Sequence, residues 1–173
     1  MRIGFFGGSF DPPHIGHEAI VSWVFANTPL EQIWVVPCFQ HPFDKSLASF
    51  SDRIAMCHLA FDRFDSKVVV SEIERELGGI SFTSRTMRVL KEEMAEAQWS
   101  LIVGEDAYQE RTHWNESAWL EKNVDWVVVP RGSSSPIPNV SGTEIRRAVC
   151  EGREWKDQVL PAVAEYYQKR RPA

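Results

Sequence analysis

No apolar run in the chain approaches the roughly 20 residues that a membrane-spanning helix needs, so no membrane association is expected. A basic excess is missing too: 19 Lys and Arg stand against 24 Asp and Glu, a formal charge of −5. That balance argues against nucleic acid as a partner, which calls for a positive field. Cysteine is scarce, and Cys38, Cys57 and Cys150 are odd in number and far apart. Such spacing fits neither a disulfide framework nor a zinc pattern, and a reducing, cytoplasmic setting is expected. Met1-Arg2 leads directly into a strand-like run, so no signal peptide is expected. No G-x-G-x-x-G turn follows that run, which speaks against a plain NAD-dependent dehydrogenase. Nor does a Ser-His-Asp or Cys-His arrangement announce a covalent nucleophile.

What the 173 residues do contain is an ordinary globular composition, 43% hydrophobic and 25% charged, enough for a single domain over 1–173. Strand and helix patterns alternate. Strands are expected at Ile3–Phe6, Gln32–Pro37, Val68–Val70, Leu101–Val103 and Trp126–Val129. The run Ile33-Trp34-Val35-Val36 is apolar on both faces, as a buried parallel strand requires. Helices are expected at Glu18–Asn27, Ser51–Phe61, Thr83–Ala97, Thr143–Glu151 and Leu160–Lys169. The pattern predicts an α/β fold, a Rossmann-like open parallel sheet with helices on both faces. Ligands bind such sheets beyond the carboxyl ends of their strands. Trp23, Trp34 and Trp126 fall on core positions, whereas Trp99, Trp119 and Trp155 suit sheet edges. Glu72, Glu74 and Glu76 around Arg75 read as a solvated edge.

The segment Gly7-Gly8-Ser9-Phe10-Asp11-Pro12-Pro13-His14-Ile15-Gly16-His17 lies at the first of those ends. A strand, a glycine turn and a helix N-terminus cradle phosphate by geometry alone, and here two glycines and a hydroxyl bring backbone N–H groups close to an anion. His14 and His17 add hydrogen-bond donors whose effect grows as negative charge builds in a transition state. Gly16 is expected to let the backbone approach the ligand, and Asp11 to shape its turn before Pro12. A metal site on the two histidines is disfavoured, because no further ligand stands at suitable spacing. The second constellation is Val140-Ser141-Gly142-Thr143-Glu144-Ile145-Arg146-Arg147. Ser141 and Glu144 match a capping box, while Thr143 and Arg146 share one face beside the positive end of the helix. Arg147 turns roughly 100° away and is expected at the surface or in an ion pair.

Together these two segments resemble the signatures of the nucleotidylyltransferase superfamily, and within it the bacterial nicotinate/nicotinamide mononucleotide adenylyltransferases. The resemblance extends over nearly the whole chain. Ser81-Phe82-Thr83 is similar to the family's S-Y-T, with Phe82 in place of tyrosine. Leu101-Ile102-Val103-Gly104-Glu105-Asp106 resembles the segment that meets the adenosine, and His113-Trp114 the place of a tryptophan near the pyridine ring. The loop Gln40–Lys45 departs from the family's P-P-H-[KR], and only nine residues separate Arg131 from Ser141, where the family commonly carries more.

The resemblance implies direct transfer of AMP from ATP, with Mg²⁺, to a pyridine mononucleotide and release of pyrophosphate. His14, His17 and Arg146 would be catalytic. Gly8, Ser9, Phe10, Gly16, Gly104, Asp106, Ser141 and Thr143 would hold ATP. Lys45 would meet the incoming phosphate, and Phe82, Thr83 and Trp114 the pyridine ring, without a resident metal. Two other readings stand beside it: transfer to another phosphate acceptor such as phosphopantetheine, and a non-catalytic nucleotide-binding module. Nicotinate and nicotinamide both remain open as the ring.

Overall fold

A computed structural model describes residues 1–41, 47–132 and 135–170. Its strands are β1 (Arg2–Gly8), β2 (Gln32–Pro37), β3 (Val68–Val70), β4 (Gln98–Gly104) and β5 (Asp125–Val129). Every pairing is parallel, in the order β3-β2-β1-β4-β5. β1 is central, and the chain winds outward from it in both directions. The turns after β1 and β4 therefore part at the switch point and leave a crevice between them.

The helices are α1 (Ile15–Asn27), α2 (Phe50–Phe61), α3 (Ile73–Leu77), α4 (Thr83–Glu93), α5 (Glu105–Gln109), α6 (Ser117–Asn123), α7 (Gly142–Cys150) and α8 (Pro161–Arg170). Strand alternation divides the apolar residues of β1 between two cores. Phe6 joins Ile20, Val24, Met56, Phe61, Ile145 and Val163 beneath α1, α2, α7 and α8. Ile3 and Phe5 join Ile73, Met87, Leu90, Trp99, Leu101 and Leu120 beneath α3, α4 and α6. Gly4 is as tight as a strand residue can be, because a Cβ there would lie 2.6 Å from Ile102 Cδ1.

The α/β expectation is met, with several local differences. α1 begins at Ile15 rather than Glu18, because the His14 carbonyl accepts the N–H groups of His17 and Glu18 at 2.9 and 3.3 Å. The histidine pair is thus built into the first turn. α4 stops at Glu93, short of Ala97: Met94 leaves helical angles, and the Gln98 N–H pairs with the Met1 carbonyl to start β4. Trp99 and Trp155 are buried rather than at edges, Trp99 on the inward face of β4 against Trp34. The acidic stretch around Glu74 is a helix, α3, and Glu74 itself is buried. No helix among the described residues is long and apolar enough to cross a membrane.

Candidate active site at the carboxyl edge of the sheet

The turn after β1 is held by aromatic packing. Phe10 adopts a left-handed backbone, φ 48°, which is uncommon for a residue with a side chain. Its buried ring stands edge-on to Phe6 and Phe61 and lies 4.8 Å from the His17 ring. Gly8 makes room for it, since a Cβ there would meet the Phe10 ring at 3.1 Å. No described residue takes the N–H groups of Ser9 or Phe10.

His14 and His17 stack with centroids 3.6 Å apart and planes 20° off parallel. The His14 backbone N–H donates to His17 Nδ1 at 3.1 Å. With Nδ1 accepting, the neutral His17 carries its proton on Nε2, which is then a donor. His14 Nδ1 is buried and has no partner among the described residues. Burial, then the Arg131 charge, lowers the His14 pKa from 6.5 to about 4. His17 is also pushed well down, first by burial, then by His14 and Arg131. Both rings are therefore neutral at pH 7. At Gly16 a Cβ would meet the His14 ring at 3.1 Å and the Pro138 carbonyl at 3.2 Å. Its small size leaves room for the His14 ring and the Pro138 carbonyl.

The start of α7 abuts this turn. A Cβ on Gly142 would lie 3.2 Å from the Asp11 carbonyl oxygen. Arg146 Nη1 donates to that same oxygen at 2.6 Å, and Nη2 to Thr143 Oγ1 at 3.1 Å. Thr143 and Arg146 thus share a face, as their spacing predicts. Ser141 is the N-cap residue, but its side chain makes no capping bond, so the expected capping box with Glu144 does not form. Glu144 instead pairs with Arg147, which also pairs with Glu151. Asp11 does more than shape a turn: it is buried, and its Oδ2 accepts the Ala48 N–H at 3.1 Å.

On the other side of the switch point lies a cavity of about 620 Å³. Gly7 and Gly8 form one margin, and Phe82, Thr83 and Trp114 line it together with Cys38 and His41. Trp114 leans on Trp126 with centroids 5.8 Å apart. The Phe82 carbonyl accepts the Arg85 and Thr86 N–H groups, so the first turn of α4 opens here. Gly104 caps α5, and Asp106 is exposed in its first turn. Lys45 lies outside the described residues.

Sequence reasoning missed three charged residues. Arg131, at the end of β5, comes within 3.2 Å of where a Gly104 Cβ would stand, and its charge reaches both histidines. Glu74 lines the cavity from α3 and accepts the Thr86 hydroxyl. Arg53 is buried at 1% exposure beneath the turn. Only Arg131 had a sequence signal, its place at a strand's carboxyl end. No cluster of three or more His, Cys, Asp or Glu able to hold a metal exists among the described residues.

The profile of the cytidylyltransferase-like family matches residues 5–148. The chain belongs to that family. A relative from Anaeromyxobacter dehalogenans, named probable nicotinate-nucleotide adenylyltransferase, is 33% identical over 98% of this chain and 95% of its own. One of the same name from Myxococcus xanthus is 32% identical over 98% of this chain and 92% of its own. These place the chain among the nucleotidyltransferases of the nicotinate-nucleotide adenylyltransferase group. Among solved structures, the Plasmodium falciparum nicotinic acid mononucleotide adenylyltransferase complexed with NaAD superposes with a TM-score of 0.83 at 21% identity, covering 97% of this chain and 95% of that one. That likeness supports the Rossmann-like fold.

Proposed function

We propose that the chain transfers the adenylyl group of ATP to the 5′-phosphate of nicotinate mononucleotide in NAD biosynthesis. An acceptor phosphate oxygen attacks the α-phosphorus in line. The bond from that phosphorus to the oxygen bridging to the β-phosphate breaks, and pyrophosphate leaves. The observation that carries this reading is the contact between the two phosphate-facing segments, Arg146 Nη1 on the Asp11 carbonyl at 2.6 Å. One triphosphate can then span both. In this reading the Ser9 and Phe10 amides and the His17 Nε2–H receive the α-phosphate. His14 adds to them, while Thr143 and Arg146 hold the departing β- and γ-phosphates. Gly104 and Asp106 meet the ribose, and Lys45 the incoming phosphate. No covalent intermediate is needed, so the residues act by positioning and by stabilising charge.

Nicotinate is favoured over nicotinamide by one end of the cavity, set against the Glu74 and Glu110 carboxylates elsewhere in its lining. The positive end of the 11-residue helix α4 opens into it beside Phe82, Thr83 and Trp114, which suits a carboxylate better than a carboxamide. The names of the bacterial relatives point the same way. Mg²⁺ fits as a partner of the triphosphate oxygens and water, since the described residues form no cage of their own. When bound, it would offset charge on the polyphosphate. No disulfide joins the cysteines among the described residues, which agrees with a cytoplasmic setting.

The test is pyrophosphate release from Mg-ATP with nicotinate mononucleotide, nicotinamide mononucleotide or phosphopantetheine as acceptor. Release should be fastest with nicotinate mononucleotide. Silence with both pyridine mononucleotides would overturn the reading.

A further inference from the structure

Arg53 sits in the first turn of α2, 1% exposed, among core residues where an aliphatic side chain would meet every need of packing. A buried cation is costly unless its donors are used. No carboxylate pairs with it among the described residues, and its guanidinium instead binds three carbonyls. Nε donates to Ala48 at 3.1 Å, Nη1 to Ser9 at 2.9 Å and Nη2 to Cys38 at 2.8 Å. Those carbonyls belong to three segments that frame the site: the turn after β1, the loop after β2, and the approach to α2.

We propose that Arg53 is a positioning residue that sets the direction of the phosphate-binding amide; this rests on the adenylyl-transfer reading. A trans peptide is planar, with its C=O and N–H opposed. Drawing the Ser9 carbonyl onto Arg53 therefore turns the Phe10 N–H away from it, toward His17 and the phosphate site. The Cys38–Phe39 peptide obeys the same rule. Its carbonyl faces Arg53, and its N–H reaches the other way to Ser81 Oγ at 2.8 Å, on the margin of the cavity. The Ala48 N–H, on the peptide before the one Arg53 holds, binds Asp11 Oδ2. One guanidinium thus orients the amide for the α-phosphate and the wall of the acceptor cavity. Its charge, behind the Ser9 carbonyl, also polarises that peptide in the sense that strengthens its N–H as a donor.

The experiment compares wild type with Arg53→Lys, Arg53→Met and Cys57→Ala, the last a core substitution on the same helix with no bond to the carbonyls. Kinetics are read beside thermal melts, and the Phe10 amide resonance is followed by NMR as inorganic pyrophosphate is added. Arg53→Met should lower kcat tenfold or more with KM for ATP within threefold, and Arg53→Lys should fall between. Cys57→Ala should lose Tm while keeping kcat. The Phe10 amide proton should move downfield in wild type and stay in place in Arg53→Met. Wild-type kcat in Arg53→Met, or an unchanged Phe10 response, would overturn the proposal. If Arg53→Met does not fold, Arg53→Lys decides by the same two readouts. If wild type releases no pyrophosphate with either pyridine mononucleotide, the functional reading falls, and the Phe10 resonance still decides the role of Arg53.

Discussion

At the scale of single residues, the two stacked histidines are neutral until substrate arrives. His14 is held to a pKa of about 4 against 6.5 when free, and His17 is lowered as well. Between those values the unfolded chain binds more protons than the folded one. Stability should therefore be full above pH 6.5 and fall as the pH drops toward 4, with His14 alone worth about 3 kcal/mol. Denaturant melts at pH 7 and pH 5 check this, and an intact His14→Ala variant should lose part of the difference. A triphosphate beside the pair reverses the effect of burial, so ATP binding should draw in protons. Calorimetry at pH 6 in buffers of differing ionisation enthalpy would register the uptake. Replacing His17 with Ala removes the Nε2–H, with an expected loss of about 2–4 kcal/mol in transition-state binding read as kcat/KM.

Elements carry the next lesson. α1 must begin at Ile15 for its first turn to present both histidines, and Gly16 is what allows it. Gly16→Ala adds a methyl 3.1 Å from the His14 ring and 3.2 Å from the Pro138 carbonyl. Alanine favours the helix interior by about 1 kcal/mol, so thermal stability should change little. kcat should nevertheless fall several-fold as His14 is displaced, and a crystal structure of the variant would show the ring moved. The strands and long helices were legible because their apolar periods are strong and their ends are marked by Gly or Pro. α3 was not, because five residues rich in Glu carry too short a pattern, and burial of Glu74 depends on the Thr86 hydroxyl brought from α4. Likewise Arg53 reads as one more polar position on an amphipathic helix. Its three carbonyl partners come from chain segments up to 44 residues away. That the two histidines stand together and that Arg146 shares a face with Thr143 was legible because each pair sits in one contiguous helix-start motif.

For the whole molecule, the candidate site residues among those described stand along one margin of one sheet. Substrate binding should therefore tie together loops from every part of the chain. A ligand present at 100 times its Kd contributes about 2.7 kcal/mol, which for a chain of this size raises Tm by roughly 5–10 °C. Mg-ATP with nicotinate mononucleotide should reach that range in a thermal shift assay, and Arg146→Ala should lose most of the ATP contribution.

The alternation of β1 sends Phe6 to one core and Phe5 to the other. The stacked histidines lie beside the first, and the cavity of about 620 Å³, which we propose takes the acceptor, rests on the second. Such a partition lets one side be rewritten while the other is inherited intact. Substitutions beneath α3, α4 and α6 can trade one guest for another without disturbing the stacked imidazoles. An engineer seeking a new acceptor would graft on that side alone, and a lineage diversifying its products would drift there first.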